Sequence, residues 1–208
     1  MRRIGLAAAL FIAAAAVIGA LFAVRRSSGP DRPAAGPYRG SEPPGEIRMA
    51  EFELSDETGR RVASRNLRGK VVLLSFLDSQ CTDSCPVIAF QVARTLDSLP
   101  GEVRRQVVAL AISTDPDEDT PASVRRFLSS QRALGRLRYL GADEPVATLR
   151  PIWRHFHVLS SFESGKDTLH SASVRVFDRQ GLWVSTLHPA VDLTRLNLAH
   201  DIRVAARS

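Results

Sequence analysis

The sequence has 208 residues, of which 44% are hydrophobic and 24% charged, proportions that are ordinary for a globular protein. A chain of this length holds one domain of good size with additional segments. The formal net charge is +6, but two arginine pairs that flank an apolar segment near the amino terminus supply four of these charges, leaving +2 for residues 27–208. There is no basic stripe interleaved with aromatic residues, so we do not expect a nucleic-acid partner.

Residues 1–26 have the pattern of a transmembrane anchor. An uncharged run rich in Ala, Ile, Leu and Phe extends from Ile4 to Val24. As a helix this run would span roughly 30 Å, the thickness of the hydrocarbon core of a bilayer. A cleaved secretory signal is the alternative, but its apolar core usually comprises about 7–15 residues. We therefore expect a single membrane-spanning helix, whose orientation the arginines on both sides leave undecided.

Residues 27–49 are predicted to form a linker. Five of the twelve prolines of the chain lie in this stretch, with Gly and Ser residues between them. Such a composition is typical of a semi-extended tether and not of a packed core. The remaining residues, 50–208, are predicted to form one globular domain, which the tether would allow to reach a partner in the same membrane.

The order of the predicted elements in this domain indicates an α/β fold. In chain order the sequence predicts a hairpin at 52–62, a strand at 71–76, a helix to 99, a strand at 106–113, a helix at about 122–134, a short strand at 138–140, a helix at 144–156, a hairpin near 158–169, strands at 173–177 and 182–187, and a helix at 192–205. Strands that alternate with helices predict parallel pairing in the first half, whereas the last two strands should form an antiparallel hairpin. A β-α-β unit followed by β-β-α is the order of a thioredoxin-like fold.

The two cysteines of the chain, Cys81 and Cys85, lie where the strand ending at Phe76 leads into the helix that begins near Pro86. Backbone N–H groups and the helix dipole favour the thiolate form at such a position. Side chains four positions apart can face one way, so the two sulfurs could chelate a soft metal ion or close a disulfide. The spacing exceeds the usual redox pattern C-x-x-C by one residue. Metal binding, thiol–disulfide exchange and a structural disulfide all remain open.

Two thiolates and one imidazole would suit copper, especially Cu(I), which accepts three ligands. The chain has five histidines, His155, His157, His170, His188 and His200. Of these, His170 directly precedes the strand predicted at 173–177, in a loop that packs beside the cysteine turn of a thioredoxin-like fold. His170 is therefore one candidate for the third ligand. The H-x-H pair His155 and His157 could also bind metal, although such residues are more often ordinary capping or half-buried histidines, as we expect for His188 and for His200 on the surface.

Four motifs follow one another in a characteristic order. Three of them are the CTDSCP sequence at 81–86, the STDPDEDTP turn at 113–121 and the His-Ser pair at 170–171. The fourth is a framework motif in two parts, LRGK at 67–70 and FDRQG at 177–181. In this order they resemble the Sco/SenC family of thioredoxin-fold copper chaperones, over about residues 38–205. The sequence departs from that family at Asp78, where an aromatic residue is usual, at Thr82 and Ser84, which replace Pro and Val, and at Leu169, which replaces Asp.

The resemblance implies that Cys81, Cys85 and His170 bind a copper ion, as Cu(I) or Cu(II). It implies a carrier and not an enzyme, one that delivers copper to the dinuclear copper centre of cytochrome c oxidase. The expected partner is the copper subunit of the oxidase or another copper chaperone. With the anchor, the expected location is the bacterial inner membrane, with the globular domain on the extracytoplasmic, periplasmic side.

The same residues leave other functions open. A thiol–disulfide reductase would keep the copper-ligand cysteines of the oxidase reduced, with Cys81 as the attacking sulfur. A peroxidase of the peroxiredoxin type is suggested by the T-x-x-C-P string at 82–86, but Asp78 stands where that pattern expects proline. The acidic turn Asp115–Asp119 could be a second metal site, although a solvated turn that caps the next helix is the favoured interpretation.

Overall fold

The computed structural model describes residues 36–158 and 172–208. The predicted anchor, nearly all of the hairpin predicted near 158–169, and His170 lie outside the described residues. Within the two described ranges, no helix combines the length and the hydrophobicity needed to cross a bilayer. Residues 37–208 belong to one compact unit.

The elements of this unit follow the predicted order. They are β1 (Glu53–Ser55), β2 (Arg61–Ala63), a 3₁₀ turn (Ser64–Leu67), β3 (Val71–Leu77), α1 (Ser84–Ser98), α2 (Gly101–Arg104), β4 (Val107–Ser113), α3 (Pro121–Ser130), β5 (Arg138–Leu140), α4 (Val146–His155), β6 (Val174–Phe177), β7 (Trp183–Leu187) and α5 (Arg195–Ala205).

A five-stranded sheet with the strand order β5-β4-β3-β6-β7 forms the centre of the domain. Strands β3, β4 and β5 are parallel, whereas β6 pairs antiparallel with both β3 and β7. These pairings confirm the predicted parallel first half and the predicted final hairpin. Because Leu77 pairs with Ser113 at the ends of β3 and β4, the turns that follow these two strands leave the sheet at the same edge.

Helices α1 and α5 cover one face of the sheet, and a second apolar cluster with Trp153 and Phe156 covers the other. The helical spacing of Val87, Val92, Leu96 and Leu99 in the sequence predicts that they share the buried face of α1; for Val87 this is wrong, because it is 42% exposed. The buried face includes Ile88, Val92 and Leu96, whose spacing also brings Cys85 into the core.

Residues 37–49, the second half of the predicted linker, pack along the outer edge of β7. Ser41 exchanges two backbone hydrogen bonds of 2.9 Å with Thr186, and the N–H of Trp183 donates to the carbonyl of Ile47 at 2.9 Å. The buried carboxylate of Asp201 accepts hydrogen bonds from the N–H groups of Arg39 and Gly40 at 2.8 and 3.0 Å. Proline is tolerated in such an edge segment, which needs few N–H donors on its outer side.

Asp56 joins the β1–β2 hairpin to the central sheet. Its buried carboxylate accepts hydrogen bonds from the hydroxyl of Thr58 at 2.6 Å, from the N–H of Arg60 at 2.9 Å and from the guanidinium of Arg138, on β5, at 2.7 Å. Burial opposes ionisation, but these donors outweigh it and lower the pKa of Asp56 from 3.8 to about 2.

We expect the variant Asp56→Asn to lose about 2 kcal/mol of unfolding free energy at neutral pH, because a lowered pKa is a stability contribution. The folded-state pKa is depressed, so the contribution is complete above about pH 4 and is lost as the pH falls towards about 2. Urea unfolding of both proteins across this range measures it.

The matched control is Asp97→Asn, because the Asp97 carboxylate is 54% exposed and pairs with Arg136 at 2.7 Å. An exposed pair contributes less than about 1 kcal/mol. Equal losses in the two variants would contradict the special role of the Asp56 carboxylate.

Candidate functional site

The cysteine turn connects β3 to α1. After β3 ends at Leu77, the N–H of Cys81 donates to the carbonyl of Asp78 at 3.3 Å, and α1 begins at Ser84. Pro86 therefore lies in the first turn of the helix, as predicted, where its missing N–H costs no hydrogen bond. Both cysteines are free thiols, Cys81 half-buried and Cys85 only 4% exposed.

The pKa values of the two cysteine thiols are shifted in opposite directions. The pKa of Cys81 is lowered from 9.0 to about 5, mainly by a hydrogen bond from the Cys85 side chain. Burial opposes this shift, and the N–H groups of Cys85, Asp83 and Ser84 support it. The same hydrogen bond, together with burial, raises the pKa of Cys85. The thiolate expected at the start of the helix is therefore found at Cys81, while Cys85 stays protonated at neutral pH.

This arrangement supports two kinds of chemistry. A half-exposed thiolate beside a buried thiol is an attacking sulfur with a second sulfur to resolve the mixed disulfide. Two sulfurs in hydrogen-bond contact also converge on one point, so they fit a single soft ion such as Cu(I) once Cys85 has lost its proton.

A buried carboxylate, Asp119, holds the cysteine turn in place. One of its oxygens accepts hydrogen bonds from the hydroxyls of Ser113 and Tyr139, both at 2.6 Å, and the other accepts from the N–H of Ser79 at 2.8 Å. Burial raises the pKa of Asp119 even though these donors favour the charged form. Since Ser79 lies two residues before Cys81, Asp119 ties the turn directly to β4 and β5.

The sequence did not identify this role. The predicted cap is confirmed, because Thr120 accepts from the N–H of Ser123 at 3.1 Å and Pro121 opens α3. The prediction that the acidic turn is solvated is wrong at Asp119, which is fully buried. No local pattern distinguishes it from its exposed neighbours Asp117 and Glu118. Among the residues that the structure describes, no three acidic, cysteine or histidine side chains are grouped to hold a metal ion.

Asp78 also borders the cysteines. Its carboxylate accepts from the N–H of Gln80 at 2.7 Å, and its own N–H is hydrogen-bonded to the sulfur of Cys85. Burial, together with the charges of Asp119, Asp115 and Cys81, raises the pKa of Asp78. The residue that replaces the usual aromatic therefore places an acidic side chain beside the cysteine pair.

Two histidines outside the expected ligand set, His155 and His200, have hydrogen-bond partners of a structural kind. Ring nitrogens of His155 and His200 bond to the carbonyls of Arg48 and Pro37, at 2.8 and 3.0 Å. Both therefore hold the segment that packs on β7. His170 lies outside the described residues, so its role as a ligand stays a prediction.

The family assignment comes from a comparison of the whole chain with protein families. The SCO1/SenC family model matches residues 41–206. The chain belongs to the SCO1/SenC family. The resemblance seen in the four motifs is thereby confirmed.

Two further comparisons involve copper proteins. A putative copper-binding protein of Stutzerimonas stutzeri is 32% identical over 90 residues, covering 43% of this chain and 44% of that protein. The structure of Bradyrhizobium japonicum ScoI with copper bound superposes with a TM-score of 0.62 at 28% identity, covering 76% of this chain and 99% of that one. The chain spans about half the length of several of the curated relatives that it matches.

A third comparison concerns the fold alone. BsSco, a Sco-family cytochrome c oxidase assembly protein in which a disulfide switch is identified, superposes with a TM-score of 0.65 at 16% identity, covering 80% of this chain and 98% of that one. With ScoI it confirms the mixed α/β, thioredoxin-like fold predicted from the sequence.

We expect the alkylation rate of Cys81 by iodoacetamide to rise with a midpoint near pH 5, because its pKa is lowered to about 5. In Cys85→Ala the midpoint should move towards 9.0, the ordinary value, since the main stabilising hydrogen bond is lost. Mass spectrometry of the reduced protein, alkylated between about pH 4 and 9, measures both.

Cys85→Ser is the matched control, because its hydroxyl can still donate to the Cys81 sulfur, and its midpoint should move less. A wild-type midpoint near 9.0 would show that the turn does not stabilise the thiolate.

We expect Asp119→Ala to lower the unfolding free energy by about 2–4 kcal/mol, because it leaves buried donors without an acceptor. The control is Asp117→Ala, an exposed residue of the same turn, for which the change should stay within about 0.5 kcal/mol. Urea unfolding compares the two. A loss of similar size in both would mean that the buried hydrogen bonds of Asp119 contribute nothing special.

Proposed function

We propose that this protein is a membrane-anchored copper chaperone that binds one copper ion through Cys81, Cys85 and His170 and delivers it to the dinuclear copper centre of cytochrome c oxidase. The observation that carries the proposal is the pair of free, hydrogen-bonded sulfurs at the start of α1. Membership of the SCO1/SenC family supports it, as do the copper-bound ScoI structure and the Stutzerimonas relative.

The acidities of the two sulfurs suggest an order for copper uptake. Cys81 is already a thiolate at neutral pH and half-exposed, so an incoming Cu(I) ion meets it first. Cys85 then releases its proton as it becomes a ligand, because the charge of the metal ion replaces that of the proton. A neutral imidazole from His170 would complete three-coordination, which Cu(I) accepts.

Release would run in the opposite order. A cysteine of the partner can approach the copper ion on the side of the exposed Cys81, whereas Cys85 is 4% exposed and would dissociate last. Exchange of ligands one at a time never frees the ion into water. The partner in this scheme is the copper subunit of the oxidase or another copper chaperone.

The proposal includes the location of the protein. The uncharged run from Ile4 to Val24 supports a single membrane-spanning helix in the bacterial inner membrane. We place the globular domain on the periplasmic side. This compartment is oxidising, and a pair of free thiols there points to a function in metal binding or disulfide exchange. In this proposal the protein is a carrier and not an enzyme.

A second function, a thiol–disulfide reductase, is favoured by the asymmetry of the two pKa values. The Cys81 thiolate would attack a disulfide of the partner, forming a mixed disulfide and releasing one partner thiolate. Cys85, on losing its proton, would attack the Cys81 sulfur and release the second. Two electrons pass to the partner, and this protein is left with a Cys81–Cys85 disulfide. The disulfide switch of BsSco supports such a role.

An anaerobic Cu(I) titration of the full chain, reduced and in nonionic detergent against a competing chelator, distinguishes the two functions. We expect one tightly bound ion per chain. His170→Ala and Cys85→Ala should each weaken binding at least about tenfold, equivalent to about 1.4 kcal/mol. His188→Ala is the matched control, because it removes an imidazole that the proposal does not use.

Failure of the wild-type protein to bind Cu(I) would overturn the chaperone. Tight binding that is unchanged in His170→Ala would reject the three-ligand site and leave a bare dithiol, which favours the reductase. Reduction of a disulfide peptide by the wild-type protein but not by Cys81→Ser would then support that second function.

A further inference from the structure

A cleft lies at the end of the sheet opposite the cysteines. It has a volume of about 440 Å³ and a floor formed by Met49, Leu67 and Val72. Val72 stands at the beginning of β3, and the cysteines follow its end. At about 3.3 Å per residue, this strand of seven residues separates the two sites by roughly 20 Å. The cleft is therefore distinct from the cysteine site.

Backbone hydrogen bonds give the cleft a fixed shape. The N–H of Met49 donates to the carbonyl of Gly181, and the N–H of Gly69 donates to that of Arg179, both at 2.9 Å. These bonds connect the segment on β7, the end of the 3₁₀ turn and the β6–β7 turn. Gly69 and Gly181 both have φ values of +77°, which only glycine adopts without strain.

Arginines dominate the rim of this cleft. Arg48, Arg65, Arg68 and Arg179 line it, with Glu51 as the one carboxylate of the lining. The lining therefore carries a formal charge of +3, which exceeds the +2 of residues 27–208 as a whole. The loops that follow β3 and β4 at the other end of the sheet are acidic instead. The two ends of the sheet therefore differ in charge, and this cleft is on the positive end.

Three of these guanidinium groups are poorly paired. Among the described residues, the side chains of Arg48 and Arg179 donate only to backbone carbonyls, those of Gln180 at 3.5 Å and Gly69 at 3.4 Å. Both hydrogen bonds are long. Arg68 has no hydrogen bond or ion pair through its side chain in the part of the chain that the structure describes. By contrast, Arg65 pairs with the carboxylate of Glu53 at 3.0 Å. Like charges therefore converge here with few carboxylates to offset their repulsion.

We propose that this cleft binds a ligand with phosphate-type oxyanions. Guanidinium groups match phosphate oxygens with paired N–H donors and keep their charge at any physiological pH. The volume exceeds that of one phosphate and lies in the range of small-molecule sites, so a diphosphate or a phosphate ester fits it. The apolar floor would contact the carbon part of such an ester. The proposal is independent of copper binding.

Isothermal titration of the full chain in nonionic detergent, at low ionic strength, tests the proposal with inorganic pyrophosphate as the probe. We expect saturable binding of one pyrophosphate per chain. Arg68→Gln and Arg179→Gln should each weaken it roughly tenfold, since each removes charge-assisted hydrogen bonds. Arg126→Gln is the matched control, because Arg126 is an exposed arginine of α3 outside the cleft.

The source of the phosphate is distinguished by adding lipids to the micelles. Displacement of pyrophosphate by phosphatidylglycerol but not by phosphatidylcholine would support the cleft and assign it to an anionic lipid headgroup. Displacement by neither would support a soluble phosphate ester.

Two results would overturn the proposal. One is the absence of saturable pyrophosphate binding. The other is an equal loss of affinity in Arg126→Gln, which would show attraction by net charge alone. Arg68 and Arg179 are both exposed, so we expect the two variants to unfold at the same urea concentration as the wild type. An equal midpoint confirms that the variants are folded.

Discussion

The carboxylate of Asp119 is the interaction on which the geometry of the cysteine site depends. It lies on the turn after β4, accepts a hydrogen bond from the hydroxyl of Tyr139 on β5, and accepts another from the N–H of Ser79 at the start of the cysteine turn. The carbonyl oxygen of Leu77, at the end of β3, lies 2.6 Å from the oxygen of the same tyrosine hydroxyl. One buried acid and one buried phenol thus connect the ends of three parallel strands. The position of the sulfurs is therefore set by the sheet and not by the turn alone.

This rigid support suits both functions proposed for the cysteine pair. The hydrogen bond between the sulfurs places the negative charge on Cys81 and the proton on Cys85. A metal ion that replaces this proton makes a chelate, whereas a disulfide that accepts the Cys81 thiolate begins an exchange reaction. Both start from the same protonation state, so the arriving partner selects the outcome. The acidic turns that follow β3 and β4 favour cations over anions at this end of the sheet.

Much of the fold was predictable because its elements depend on local pattern. The apolar runs at β3 and β4 are long, and all their residues except Val108 are buried, so they identify central parallel strands whatever packs against them. On α1 the pattern identified Val92 and Leu96 as buried but wrongly included Val87, because a helix with apolar residues on several sides leaves its exact rotation to tertiary packing. Asp119 could not be recognised, since its burial depends on Tyr139, twenty positions further along. The pairing of residues 37–49 with β7 is likewise a long-range property that their proline content conceals.

That pairing has a consequence for the solubility of the domain. The outer edge of β7 would otherwise present a row of free N–H and carbonyl groups, a template on which another chain could add a strand. The bridges of Ser41 with Thr186 and of Arg48 with Leu182 occupy this edge, and Asp201 fastens the beginning of the segment. The proline-rich stretch is thus a cover for an exposed sheet edge. A polypeptide shortened to residues 50–208 would keep the cysteine turn but uncover β7, and self-association through that strand would follow.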